Sequence, residues 1–510
     1  TGSTGRRHRL GLTEKNLAAQ AVKVARMSSS TADPSGTNAT TREFGFVAVL
    51  VIGILAAIQS ADPGITSIAS PSFSKDLGIE GSGLSFAVSI GTLALAATVI
   101  VTGAIADRIG VRKVIMIGLG LEIIGNLIVA ASPELFTLLL GRAIAGFGMG
   151  ALFAGAFSMV PEIAGKKSIA SIIGQWTGML YIFTIVFSVL GSILIGISWR
   201  MGFTLIPIIC FIMLFVVPRT LPETAPRGSA KFDFPGLAAL AVGMVLLLMS
   251  VSFAATALGS AAFWGCLIFG IIFLAIFAIV EKKSPNAAFP IDLFKSPIFV
   301  AAVLAGILWN FGEAGLFLQV SNFWQTVVGA SAGVVGIAII PLLIAGLIAG
   351  FLGGALLARN FSPVVMMGAG FAMMVIAYLL ISRTTVDSGL AMFLPSLILT
   401  GFGMVAVAVV QAREYVAEAP AKYLSAVISS RTAVGQLGYS LGVALTTSII
   451  AIGISNNGGN KEDPAAFVPA FNQAMIISAG LLLVGGIITV VLLAVGLRKR
   501  KAAGIPQAPA

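Results

Sequence analysis

Uninterrupted apolar runs of about twenty residues recur along this chain, and few architectures can hold so many of them. A helix of that length rises about 1.5 Å per residue and matches the roughly 30 Å hydrocarbon core of a bilayer. The 510 residues are 57% hydrophobic and only 10% charged, whereas a water-soluble domain carries about a quarter charged residues. The expected fold class is therefore an all-α polytopic membrane protein. Fourteen spans are read, at approximately 44–71, 82–105, 114–132, 135–160, 169–196, 200–218, 235–256, 260–280, 297–320, 332–357, 363–382, 388–411, 426–453 and 470–497.

An even number of spans puts both ends of the chain on one side, and the loop charges test that number. Of the 31 lysines and arginines, 25 fall on the side shared with the termini. The opposite side holds Lys75, Arg200, Arg383 and Lys461, while Arg142 and Arg431 lie inside spans. Cytoplasmic loops carry the excess of cations, so both termini are expected in the cytoplasm. Topology thus accounts for the formal net charge of +11 without a nucleic-acid partner. Residues 1–43 read as a polar, basic tail with no apolar core for a cleavable signal. Met27 opens a Ser/Thr-rich stretch there and is a candidate natural start. Residues 498–510 read as a second basic tail. Cys210 and Cys266 fall in apolar runs and the single histidine, His8, in the tail. No disulfide framework, metal site, organic cofactor or His-based catalytic site is read from them.

Between the second and third spans lies Gly103-Ala104-Ile105-Ala106-Asp107-Arg108-Ile109-Gly110-Val111-Arg112-Lys113. Three cations and an acid sit in a short connection whose Gly110 allows a tight turn. This stretch resembles the signature loop of the major facilitator superfamily, G-x-L-a-D-r-x-G-r-[KR]. Gly103, Asp107, Arg108, Gly110, Arg112 and Lys113 match, and Ile105 replaces Leu. The resemblance implies that Asp107 and Arg112 help to latch the inward gate. Gly354-Ala355-Leu356-Leu357-Ala358-Arg359 echoes the start of the loop after the tenth span, with Ala358 in place of the acid. Internal repeats are the usual build of secondary transporters. The expected organisation is a major facilitator fold. A six-helix bundle at 44–218 and a second at 297–497 would be joined by a segment at 219–296 carrying two additional helices.

Ionisable groups inside spans are costly, so each is a functional candidate. Asp62 stands in Asp62-Pro63-Gly64-Ile65-Thr66-Ser67-Ile68-Ala69-Ser70-Pro71. This is similar to the first-span signature of the fourteen-span drug:proton antiporters, L-D-x-T-I-V-N-x-A-L-P, with Asp62, Ile65, Ala69 and Pro71 in register. Pro63 lacks an N–H and is expected to break the helix beside the acid. A carboxylate there suits proton uptake and release, and counting residues inward places Asp62 and Arg142 at similar depth. Arg142, with Gly146, Gly148 and Gly150, resembles the family's fourth-span pattern R-x-x-x-G-x-g-x-a. Glu313, with Asn310 on its helix face and Trp309 and Phe311 beside it, suits an organic cation; the alternative is an acid near the outer interface. Glu122, one turn before Asn126, is either a proton site or a structural polar pair. Arg431 is expected to snorkel to water, and Glu162, Arg413 and Glu414 to be solvated at span ends. One departure is plain: the fifth span ends in Leu190-Gly191-Ser192-Ile193-Leu194-Ile195-Gly196 without the Gly-Pro of the antiporters.

Taken together, these features are those of a secondary transporter in the plasma membrane of a bacterium. The resemblance implies a monomer that exports small amphipathic or cationic compounds against proton entry. A symporter or a lipid or metabolite exporter of the same fold is the nearest alternative. A membrane enzyme would need a clustered nucleophile, and a channel a pore-forming repeat; neither pattern is visible. The seventh and eighth spans carry no ionisable residue from Pro235 to Val280 and are expected at the lipid-facing periphery.

Overall fold

The computed structural model describes residues 45–79, 81–164, 169–226, 234–254, 260–284, 289–330, 332–456 and 463–502. The N-terminal tail and the proposed start at Met27 lie outside them. Fourteen long helices follow one another: α1 Phe46–Leu77, α2 Gly81–Ile109, α3 Val111–Ala131, α4 Leu135–Ser158, α5 Ile169–Ile197, α6 Leu205–Thr220, α7 Phe234–Ala254, α8 Ala261–Lys283, α9 Pro297–Thr326, α10 Ile340–Ala358, α11 Pro363–Ile381, α12 Leu394–Glu418, α13 Leu424–Asn456 and α14 Pro464–Ala502. Among the described residues, thirteen candidate spans are long and apolar enough to cross a membrane; in α7 the apolar stretch, Pro235–Ser250, is shorter.

Local chemistry sets several helix starts. Ser260, Ser296 and Ser362 each accept a hydrogen bond from the backbone N–H three residues on, opening α8, α9 and α11. Pro297 and Pro363 occupy the first turns of α9 and α11, where a missing N–H costs nothing. Pro63 does not break α1, which is helical from Phe46 to Leu77. Proline's fixed φ fits a helix, and the packing of α1 on α5 and α4 supports a continuous helix despite the missing N–H.

The helix pairing repeats. Among the first six helices, α1 packs on α5, α2 on α4 and α3 on α4. Among the last six, the corresponding pairs are α9 with α13, α10 with α12 and α11 with α12. The two sets meet through α2 against α13 and α5 against α10, the second helix of each against the fifth of the other. This reciprocity is what an internal repeat produces. α8 fits the peripheral expectation: Trp264, Ile268, Phe269, Ile271, Ile272, Ile276 and Ile279 are exposed on it. α7 leaves Val242 exposed on one face and packs the other on both α2 and α13, burying Leu240, Met244 and Leu248 there. An apolar helix free of charges can cover a seam as well as face lipid.

At one end the two sets are in close contact. A Cβ built on Gly174 of α5 would lie 2.6 Å from the Gly350 carbonyl oxygen and 2.7 Å from the Gly354 Cα, both in α10. Backbone there touches backbone, which only glycine permits. This is also the end that carries the Gly103–Lys113 loop.

Candidate functional site

Two groups of polar side chains that include arginines stand out in the apolar core. The first lies among α1, α3 and α4. Arg142 Nη1 donates to Asp62 Oδ1, and both side chains are almost completely enclosed, at 0% and 1% exposure. The glycines that follow Arg142 bring the neighbours close: a Cβ on Gly146 would meet the Gly91 carbonyl at 2.3 Å, and one on Gly148 the Glu122 N at 2.8 Å. Glu122 is buried beside this pair, within electrostatic range of both partners. Its Oε2 accepts from Asn126 Nδ2 at 2.8 Å. Among the described residues, Glu122 Oε1, Asn126 Oδ1 and Arg142 Nε and Nη2 have no hydrogen-bond partner. Two carboxylates therefore face one guanidinium, and unused donors and acceptors remain among them.

The second group lies among α9, α12 and α13. Trp309 Nε1 and Arg431 Nε both donate to Gln411 Oε1, at 2.9 and 3.1 Å. The Arg431 guanidinium sits 5.2 Å from the Phe157 ring centre, so a residue of the first six helices covers it. Arg431 is buried and does not snorkel. The Gln411 carbonyl and the Phe157 face replace water for it. Asn310 turns away from Glu313 and donates to the Gly306 carbonyl at 2.8 Å, facing α13. Glu313 itself is half-buried in the middle of α9 and is not joined to Asp62 or Arg142. Glu414 is also buried, paired with the largely buried Arg413 at 2.8 Å. α12 continues to Glu418, so these two sit inside the helix rather than at a solvated end. Glu162 is exposed, as expected for a helix end.

The Gly103–Lys113 loop ties three elements together. Gly110 has φ of +99°, and a Cβ there would meet the Thr224 carbonyl at 2.7 Å. The Val111 N–H donates to Thr224 Oγ1 at 2.7 Å. Arg112 pairs with Glu223 at 2.7 Å and donates to the Leu221 carbonyl at 3.3 Å. These contacts anchor the loop to the segment after α6. On the other side, Asp107 Oδ2 accepts from the Ala426 N–H at 3.0 Å, in the first turn of α13. A carboxylate at a helix N-terminus meets both free N–H groups and the positive end of the helix dipole. Asp107 thereby caps a helix of the last six from within the first six. Arg108 Nη1 returns to the Ala104 carbonyl of its own helix. At the opposite end, Asp76 bonds Arg200 and Trp199, which together hold its carboxyl below the usual carboxylate range.

The family model described as Major Facilitator Superfamily matches residues 50–443. The chain belongs to the major facilitator superfamily. Among curated relatives of this facilitator is an uncharacterized MFS-type transporter of Mycobacterium tuberculosis (strain ATCC 25618 / H37Rv). It is 28% identical over 341 residues, 66% of this chain and 49% of that one. The chain thus spans about half the length of that relative. The multidrug efflux pump LfrA of Mycolicibacterium smegmatis is 25% identical over 450 residues, 88% of each chain. The crystal structure of the human organic anion transporter MFSD10 superposes with a TM-score of 0.60 at 15% identity, covering 88% of this chain and 99% of that one. At that identity the likeness is one of fold. With thirteen candidate spans and this family, the facilitator is a multi-pass membrane protein.

Sequence reasoning missed Gln411 as a site residue of this facilitator. An uncharged amide in an apolar run raises no flag by charge. The signal available was an amide two residues before the Arg413-Glu414 pair, at the end of a run of small and apolar residues from Gly401 to Val410.

Proposed function

We propose that the chain is a secondary active transporter of a bacterial plasma membrane, with both termini cytoplasmic, that exports small amphipathic or cationic compounds in exchange for protons. The observation that carries this reading is the enclosed Asp62–Arg142 pair with Glu122 beside it. Two carboxylates facing one guanidinium leave a negative charge without a cation, so the cluster has room for one proton. Exchange follows if substrate binding and protonation compete for that charge, and alternating access rocks the two helix sets around it. The multidrug efflux pump among the relatives supports the substrate class.

The test is flux in proteoliposomes with an imposed pH gradient and an amphipathic cationic dye. The dye should move uphill, and a protonophore should stop it. Dye movement that only equilibrates, whatever the gradient, overturns the antiport reading.

The Asp107 contact serves in this scheme as a latch on the cytoplasmic end. A charge at a helix N-terminus is worth about 0.3–1 kcal/mol, and up to about 2 kcal/mol when partly buried. Asp107→Asn keeps the acceptor and loses the charge; Asp107→Ala loses both. Transport by purified, folded protein should fall with Asn and further with Ala. Arg112→Ala should act in the same direction by loosening the anchor to Glu223. Wild-type turnover by folded Asp107→Ala refutes the latch.

A further inference from the structure

Arg431 is a buried cation without an acid. Among the described residues its contacts are Gln411 Oε1 and the Phe157 ring, with Tyr181 and Tyr415 in electrostatic range, and it forms no ion pair. Its Nε is used, and its terminal nitrogens have no acceptor in the described structure. Gln411 is fully buried, its oxygen already takes two donors, and its Nε2 has no partner. The Nε2 packs against Gly306 of α9, where a Cβ would approach it to 2.2 Å, so the donors left with no acceptor to meet them are those of Arg431. A guanidinium enclosed in this way is costly until an anion arrives.

The complement lies close by. Glu313 is half-buried in α9 and forms no ion pair among the described residues. Tyr181, on α5, is in electrostatic range of both Glu313 and Arg431. Its ring is seated against α10, where a Cβ on Gly346 would approach it to 3.1 Å. One tyrosine is thus within electrostatic range of both an acid and a cation that form no ion pair with each other among the described residues. The Phe157 ring faces Arg431, and Trp309 shares the Gln411 oxygen with it.

We propose that Arg431, held at its Nε by Gln411, forms an anion subsite of the transport cavity, and that the substrates it favours are aromatic zwitterions. The substrate carboxylate meets the terminal nitrogens of Arg431, its ring lies along Phe157 and Trp309, and its cationic end faces Glu313. A guanidinium offers a carboxylate two parallel N–H donors, which a lysine or an amide cannot match. This rests on the transporter reading for its physiological meaning, but the binding site stands apart from proton coupling.

Equilibrium binding to the purified full chain in detergent tests it, read by dye fluorescence. The probes are rhodamine B, which carries a carboxylate and a delocalised cation, and its ethyl ester, which keeps only the cation. Wild-type protein should prefer the zwitterion. Arg431→Gln should weaken rhodamine B by about tenfold or more and leave the ester unchanged, as expected for a lost charge-assisted hydrogen bond. Arg431→Lys should restore part of the preference, and Glu313→Gln should weaken both dyes. Equal loss of both dyes in Arg431→Gln, or no binding of either by the wild type, overturns the subsite. Because no gradient is present, a failure of proton-driven flux leaves this result standing, and the reverse also holds.

Discussion

Asp62→Asn should abolish uphill transport on a pH gradient, and pairing it with Arg142→Gln should separate coupling from folding. The single change leaves the Arg142 guanidinium enclosed with no bonded anion. Breaking a buried ion pair from one side costs about 3–5 kcal/mol. Glu122, in electrostatic range, offsets part of that. The single variant therefore risks failing for structural reasons. The double variant replaces a buried ion pair by two neutral amides, a change that is often neutral or stabilising. Its melting temperature should equal or exceed that of the single variant, with pH-driven dye flux still absent. Asp62→Glu keeps the charge and should retain part of the flux. Uphill flux at the wild-type rate by the double variant would sink the coupling role of Asp62 and move it to Glu122 or Glu313.

The spans were legible because lipid imposes length and apolarity on every segment at once, and these can be read without knowing the partners. The Asp62–Arg142 pairing was legible for a related reason. Both charges stand near mid-span, and depth can be counted along a helix. What a single helix does not reveal is which face meets which neighbour. Arg431 begins close enough to a loop to reach water, and only the placement of Gln411 and Phe157 turns it inward. Asn310 and Glu313 share a face by spacing, but the Gly306 carbonyl claims the amide. Pro63 loses one backbone hydrogen bond, and the packing of α1 on both sides is sufficient to keep the helix intact. For α7 the absence of charge said only that it avoids water. Its seat across α2 and α13 depends on the complementary surfaces of those helices. The loop contacts of Asp107 could be anticipated from the motif, but not their form as a cap on α13.

Gly174→Val should hold the loop-bearing end open. The added side chain would meet the Gly350 carbonyl oxygen and the Gly354 Cα, both backbone, so no side chain can swing aside. Overpacking of this kind costs about 1–3 kcal/mol. Within a single bundle the cost would appear as lost stability. Here the clash lies between two helix sets that meet mainly along α2–α13 and α5–α10, with smaller contacts of α4 on α13 and α5 on α12, so separating them at that end relieves it. The equilibrium should then shift toward the open arrangement by about tenfold for each 1.4 kcal/mol, while the melting temperature changes little. A cysteine at Leu357, buried near the end of α10, reports the change in a background lacking Cys210 and Cys266. Its labelling by a hydrophilic maleimide should be slow in the parent and at least about tenfold faster with Gly174→Val. Gly178→Ala is the control. Its Cβ would meet only the ring of Phe351, at 2.4 Å, and that side chain is exposed enough to move away. Labelling in that variant should stay close to the parent. If folded Gly174→Val labels at the parent rate, the α5–α10 contact does not close this end, and the rocking scheme loses its main structural support.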